Sequence, residues 1–366
     1  MVIVVGLAAM SVLPFSRFPV YQPERSPVAG AAFGQLWTRS PAGPGERQIG
    51  GAAVLDGVLV HSETLFGGAH EIVGSMHRQR LLDGTDLGTV VSVPHRAFGQ
   101  VEAVDGALVV ASSSDGQAFL SSYAPDGRQS WDTAVPGDGF VVAGSVVVAY
   151  GGGGVAVLSP VDGAVVWRVA RPAASAAVAG GVVVVSDGRT VSGYAASAGT
   201  PAWSSSSGAT AVVAVADGRV AAVGDDGVCA FAAGSGRREW CDAPALAAVA
   251  SGGTLYTVGD GTVDALDAAT GEVRWSQSFA NGWAVSTSMW RPVVADGTVY
   301  AVGYHFDGGG KQRHELFAVR AGDGGQARQV PFDLDAERGG EPLLAGGGQV
   351  FFAGLTAMYA FGAPAL

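Results

Sequence analysis

The sequence predicts an all-β chain: an eight-bladed β-propeller of four-stranded antiparallel blades, its ring closed by an N-terminal strand that joins the last blade. Three observations predict it. Tryptophans recur at Trp131, Trp167, Trp203, Trp240 and Trp275, at spacings of 36, 36, 37 and 35 residues. Each stands four residues after a glycine: Gly127, Gly163, Gly199, Gly236 and Gly271. A turn then opens each unit, at Asp56-Gly57, Asp105-Gly106, Ala143-Gly144, Gly180-Gly181, Asp217-Gly218, Gly252-Gly253, Asp296-Gly297 and Gly346–Gly348. Apolar alternation broken by such turns every eight to twelve residues marks antiparallel strands, and about 36 residues hold four of them, one propeller blade. Eight turns give eight blades; a seven-bladed ring is the alternative.

Taken in chain order, residues 1–15 carry no ionisable side chain before Arg17 and are almost wholly apolar. At about 1.5 Å per residue they make a helix of roughly 22 Å, shorter than the ~30 Å hydrocarbon core. They are expected to be a membrane anchor or the remnant of a signal segment, with an apolar first strand as the alternative. Residues 16–32, with several prolines, read as a tether. Phe33-Gly34-Gln35-Leu36-Trp37 has the pattern of a fourth strand with no blade before it. The eighth blade, around Glu341–Ala345, Val350–Ala353 and Ala357–Phe361, ends before a fourth strand of its own. Joining the two completes the ring over residues 33–366 and removes an open sheet edge.

Composition agrees. There are 57 glycines and only 14% charged residues, which suits short strands and tight turns and not a disordered chain. The formal net charge of −11 leaves no basic stripe for phosphate neutralisation, so nucleic acid is not an expected partner.

The best-formed repeat, Ala265-Leu-Asp267-Ala-Ala-Thr270-Gly271-Glu-Val-Arg-Trp275, resembles the tryptophan-docking repeat of the quinoprotein-type (PQQ-like) propellers, shared by PQQ-dependent dehydrogenases and the BamB-type assembly proteins. Ala230 to Trp240 and Ser121 to Trp131 are partial copies, Arg328 replaces the tryptophan of blade seven, and blade one has none. The resemblance implies that the tryptophans are core, packed between neighbouring blades. Its register pairs Ala230 with Trp240 and so sets Cys229 opposite Cys241, close enough for a disulfide. Two buried thiols are the alternative. A disulfide places the chain in an oxidising compartment.

No catalytic, cofactor-binding or metal site is expected. The histidines, at spacings that make no chelating pair, read as solvated loop residues. Blades one and seven replace a tight turn between strands two and three with longer stretches, about His61–Arg80 and Tyr304–His314. Inter-blade connections also lengthen at Ser92–Gln100, Asn281–Arg291 and Pro331–Glu341. All of these emerge on one face, in the sector from blade six round to blade one. Long loops on a rigid scaffold are where binding concentrates. The candidate binding residues are Trp283, Trp290, Arg291, His305, His314, His70, His77 and Arg78; the tryptophan pair alternatively caps the blade-six to blade-seven junction.

The reading is an extracytoplasmic, membrane-tethered or secreted scaffold that binds another envelope protein or ligand. An extracellular sensor domain is the alternative, as is a quinoprotein dehydrogenase. For the dehydrogenase, the resemblance implies adjacent cysteines and a calcium-ligand set, neither of which maps onto this sequence.

Overall fold

The computed structural model describes residues 33–41, 45–67, 71–215, 217–224, 227–242, 245–259, 261–279, 291–306, 312–332 and 343–363. Among them the strands form eight four-stranded antiparallel sheets and no helix. Seven sheets are contiguous in sequence. In the eighth, Gln35–Arg39 pairs antiparallel with Met358–Gly362, behind Gln349–Ala353 and Leu344–Gly346. The first strands of successive blades touch round the full circle, and blade eight meets blade one. The ring is closed as the sequence predicts.

A blade has no core of its own; the cores lie in the seams. One buried cluster fills each junction: Trp37, Leu59, Phe351 and Met358 between blades eight and one, for instance, and Val148, Val157, Val183 and Tyr194 between blades three and four. Inner strands are therefore covered on both faces and read as unbroken apolar runs, such as Val182–Ser186, buried throughout. The alternation expected along each blade survives in the outermost strands, where one face meets water, as in Val165–Val169.

The repeating tryptophan is a staple between blades. Each indole Nε1 donates to a carbonyl in the turn between strands three and four of the following blade: Trp37 to Leu81 at 2.9 Å, Trp131 to Pro160 at 2.9 Å, and Trp275 to Ala321 at 2.9 Å. Trp167, Trp203 and Trp240 do the same to Ala196, Ala233 and Ala268. Two seams lack the staple. Between blades one and two, Ser62 Oγ and Thr64 Oγ1 donate to the carbonyls of Gly99 and Phe98, at 2.6 and 3.1 Å. Between blades seven and eight, Phe332 packs on Phe352, Tyr359 and Phe361, with ring centroids 5.3–5.7 Å apart.

Cys229 and Cys241 are directly opposed on neighbouring strands and joined, with Cα atoms 4.1 Å apart. The bridge closes a loop with a sequence separation of 12. By loop-closure entropy it should contribute roughly 2–3 kcal/mol. Replacing both cysteines with serine is expected to lower the denaturant midpoint accordingly; an unchanged midpoint would show that blade five does not depend on it.

Candidate functional site

Strand length, more than loop length, shapes the upper face, where strands two and three of each blade meet. In blade one these strands are Val58–Phe66 and Ile72–Arg80, nine residues each; in blade seven, Thr298–Phe306 and Gln312–Arg320, again nine each. Blade eight, between them, has only Gln349–Ala353 and Met358–Gly362, five each. Four extra residues at about 3.4 Å each raise the flanking hairpins by roughly 13 Å. The Ile49 amide donates to the Leu355 carbonyl at 2.8 Å, which fixes the level of the blade-eight turn against blade one. Strand alternation carries Tyr304 and His314 onto the face of blade seven that turns to blade eight, and Glu63, Leu65 and Arg47 onto the corresponding face of blade one. Among the described residues the result is a cleft with the Gly354–Ala357 turn as its floor and two hairpins as its walls.

This geometry corrects the loop assignments. His61 and His77 are not solvated loop residues but directly paired strand residues, and His61 is 2% exposed. His314 is also buried and pairs with Tyr304. The supposed long connection at Ser92–Gln100 is short: blade one's last strand runs Asp86–Pro94 and blade two begins at Ala97. Of the predicted binding residues, the structure brings Tyr304's neighbour His314 and blade one's His77 to opposite sides of the cleft. Arg78 is exposed on strand three of blade one. Arg291, half-buried before Val293–Ala295, has its charge disfavoured by burial, down to about 9, with Tyr150 opposing the shift. His305 pairs through its backbone with Arg313. Trp283, Trp290, His70 and the His305 side chain lie outside the described residues.

The blade-one wall holds a charged cluster that the sequence reading missed. His61 Nε2 donates to Glu63 Oε1 at 2.8 Å, while Arg47 Nη1 and His77 Nε2 stand 3.3 and 3.5 Å from Glu63 Oε2. His77 Nε2 also meets Ser75 Oγ at 2.9 Å, and Thr89 Oγ1 lies 3.3 Å from its Nδ1. The two imidazoles stack with centroids 5.5 Å apart. Burial alone would raise the Glu63 carboxyl, but the His61 hydrogen bond and the electrostatic pull of His61, His77 and Arg47 outweigh it and hold the group below its ordinary value. Burial depresses His77, against the pull of Glu63. On the opposite wall Gln312 Nε2 lies 3.2 Å from His314 Nε2, and the His314 ring sits 5.8 Å from Phe332. Among the described residues no three His, Cys, Asp or Glu side chains are arranged to hold a metal ion.

Eight seam cores and a repeated indole staple define the PQQ-like class of β-propeller. The chain belongs to the family described as outer membrane protein assembly factor BamB, which matches residues 69–181, 151–246 and 241–351. Among solved structures it is similar to BamB from Moraxella catarrhalis, with a TM-score of 0.58 at 14% identity over 90% of this chain and 100% of that one. It is also similar to Saccharomyces cerevisiae Sqt1, with a TM-score of 0.62 at 11% identity over 92% of this chain and 100% of that one. At such identities the likeness is one of fold. A search of curated proteins finds no match.

Proposed function

We propose that the protein is a binding scaffold of the cell envelope that receives a segment of another envelope protein in the cleft over blade eight. One observation carries this reading: two nine-residue hairpins flank a five-residue one, so the upper face is notched at a single blade of the looped sector. A notch with a low floor and two polar-aromatic walls offers both buried contact and hydrogen bonding to an inserted segment. The family's description as an outer membrane assembly factor supports a protein partner. The disulfide supports an oxidising compartment, in keeping with an apolar segment at residues 1–15 acting as anchor or export signal. Trp283 and Trp290, outside the described residues, stay candidate contacts for the same partner in this reading.

The test is photo-cross-linking in cells. A photoreactive side chain at Leu65 or Gln312 is expected to capture a protein partner, whereas one at Arg189, exposed on the same face in blade four, captures none. Adducts confined to Arg189 would place binding elsewhere and overturn the proposal.

A further inference from the structure

Beneath the cleft lies a group of side chains whose charge balance holds only while both imidazoles are neutral. Glu63, 4% exposed, faces three nitrogen bases: Arg47, His61 and His77. With neutral imidazoles, one carboxylate balances one guanidinium. Protonating His77 puts two cations, its ring and the Arg47 guanidinium, on the same oxygen of one carboxylate, with the His61 ring stacked 5.5 Å away. A pair of like charges in a half-desolvated seam repels far more strongly than it would in water. His61 adds a second strain. Its Nε2 already donates to Glu63, and its buried Nδ1 has no hydrogen-bond partner among the described residues, so a proton there faces no described acceptor.

The surrounding elements do not compensate. Strand one of blade one contributes Arg47, and strand four contributes Asp86, which acts on His77 from a distance. Blade eight presents Phe351, Ala353, Met358 and Ala360 to this seam, together with the Gly354–Ala357 turn, and none of these residues titrates. Among the described residues, blade eight presents no acidic group to this seam that could absorb the added charge.

We propose that the seam between blades one and eight is a proton-operated latch: protonation of His77, stacked on His61 and facing Glu63 beside Arg47, releases the Gly354–Ala357 turn from blade one and so reshapes the floor of the cleft. This rests on the cleft being the binding site, since the latch would otherwise regulate nothing. The direction follows from His77, whose folded-state affinity for the proton is reduced. The closed seam is intact above the ordinary imidazole value of 6.5 and loses stability as pH falls below it. Glu63, held low, adds a further loss only below its ordinary value of 4.5.

Hydrogen exchange on the free, full-length protein tests the latch without any partner. Between about pH 7.5 and about pH 5.5, the window in which histidines titrate, residues 47–49 and 354–357 are expected to lose protection by about tenfold or more after correction for intrinsic rates. Blades three to five should be unchanged. In a His61→Gln/His77→Gln double variant the acid response should vanish; His77→Gln alone, at the more exposed of the two sites, carries the test if the double variant does not fold. Equal protection at both pH values, a loss shared by every blade, or an acid response that persists in the variant would each overturn the latch. Because this readout uses no partner, it can fail while cross-linking at the cleft succeeds, and the reverse.

Discussion

A chain that begins at residue 41 is expected to be insoluble or aggregated, whereas one that begins at residue 31 keeps the folded ring. The shorter deletion leaves Gln35–Arg39 in place; the longer one removes the outer strand of blade eight. What goes with it is more than a strand. Trp37 is 8% exposed, packs beside Phe351 at 6.0 Å and donates to the Leu81 carbonyl of blade one. Truncating a buried tryptophan alone costs about 3–5 kcal/mol, a large share of the stability of an ordinary domain. Loss of the whole strand also bares the edge of Met358–Gly362, an invitation to pairing between molecules. Soluble yield, size-exclusion profile and thermal melting measure the difference. A 41–366 chain that stays monomeric and melts cooperatively would mean that this strand does not close the ring.

That closure was legible because the signal is local and repeated. At Gly163, Gly199, Gly236 and Gly271 the glycine four residues ahead of a tryptophan serves one purpose: the indole of the preceding blade lies on it, whereas Gly127 meets Val90 of blade one, which has no such tryptophan. Phe33–Trp37 could be assigned to blade eight because it has the pattern of a fourth strand, ending on a tryptophan, with no blade ahead of it. The blade count and the opposed cysteines came from the same register. The period alone did not reveal how the seams of blades one and seven are sealed, since Ser62, Thr64 and Phe332 do the tryptophan's work through different chemistry.

The candidate cleft lies in the sector that the sequence singles out, but the form of its blade-one wall was not legible. Val58–Phe66 reads VLVHSETLF, and its polar centre looks like a loop. In the structure those polar residues are inward-facing strand positions that neutralise one another: His61 and Glu63 are two apart on one face, with His77 opposite. The spacing of His61 and Glu63 was the available signal, because residues i and i+2 share a face once the segment is taken as a strand. Arg47 could not be found this way. Its approach to Glu63 depends on the irregular register between Ile49 and Gly51, which no residue pattern announces.

Gly271→Ala is expected to destabilise the protein far more than Gly253→Ala, although both glycines sit in blade-six turns with nearly the same backbone, φ +78° and +75°. The left-handed conformation costs an alanine about 1–2 kcal/mol at either position. At Gly253 a Cβ would meet nothing within 4 Å, so that cost is the whole effect. At Gly271 it would stand 2.7 Å from Cδ2 and Cε3 of Trp240, deep inside contact distance. The indole cannot retreat without giving up its hydrogen bond to the Ala268 carbonyl and its place in the seam between blades five and six. Overpacking of this kind adds about 1–3 kcal/mol. Trp240→Leu removes the obstructing ring, so in that background Gly271→Ala should cost no more than Gly253→Ala. The non-additivity, read from denaturant midpoints in a double-mutant cycle, isolates the docking contact from backbone strain. If Gly271→Ala proves no costlier than Gly253→Ala in the wild-type background, the motif glycine is there for its backbone alone and the staple does not depend on it.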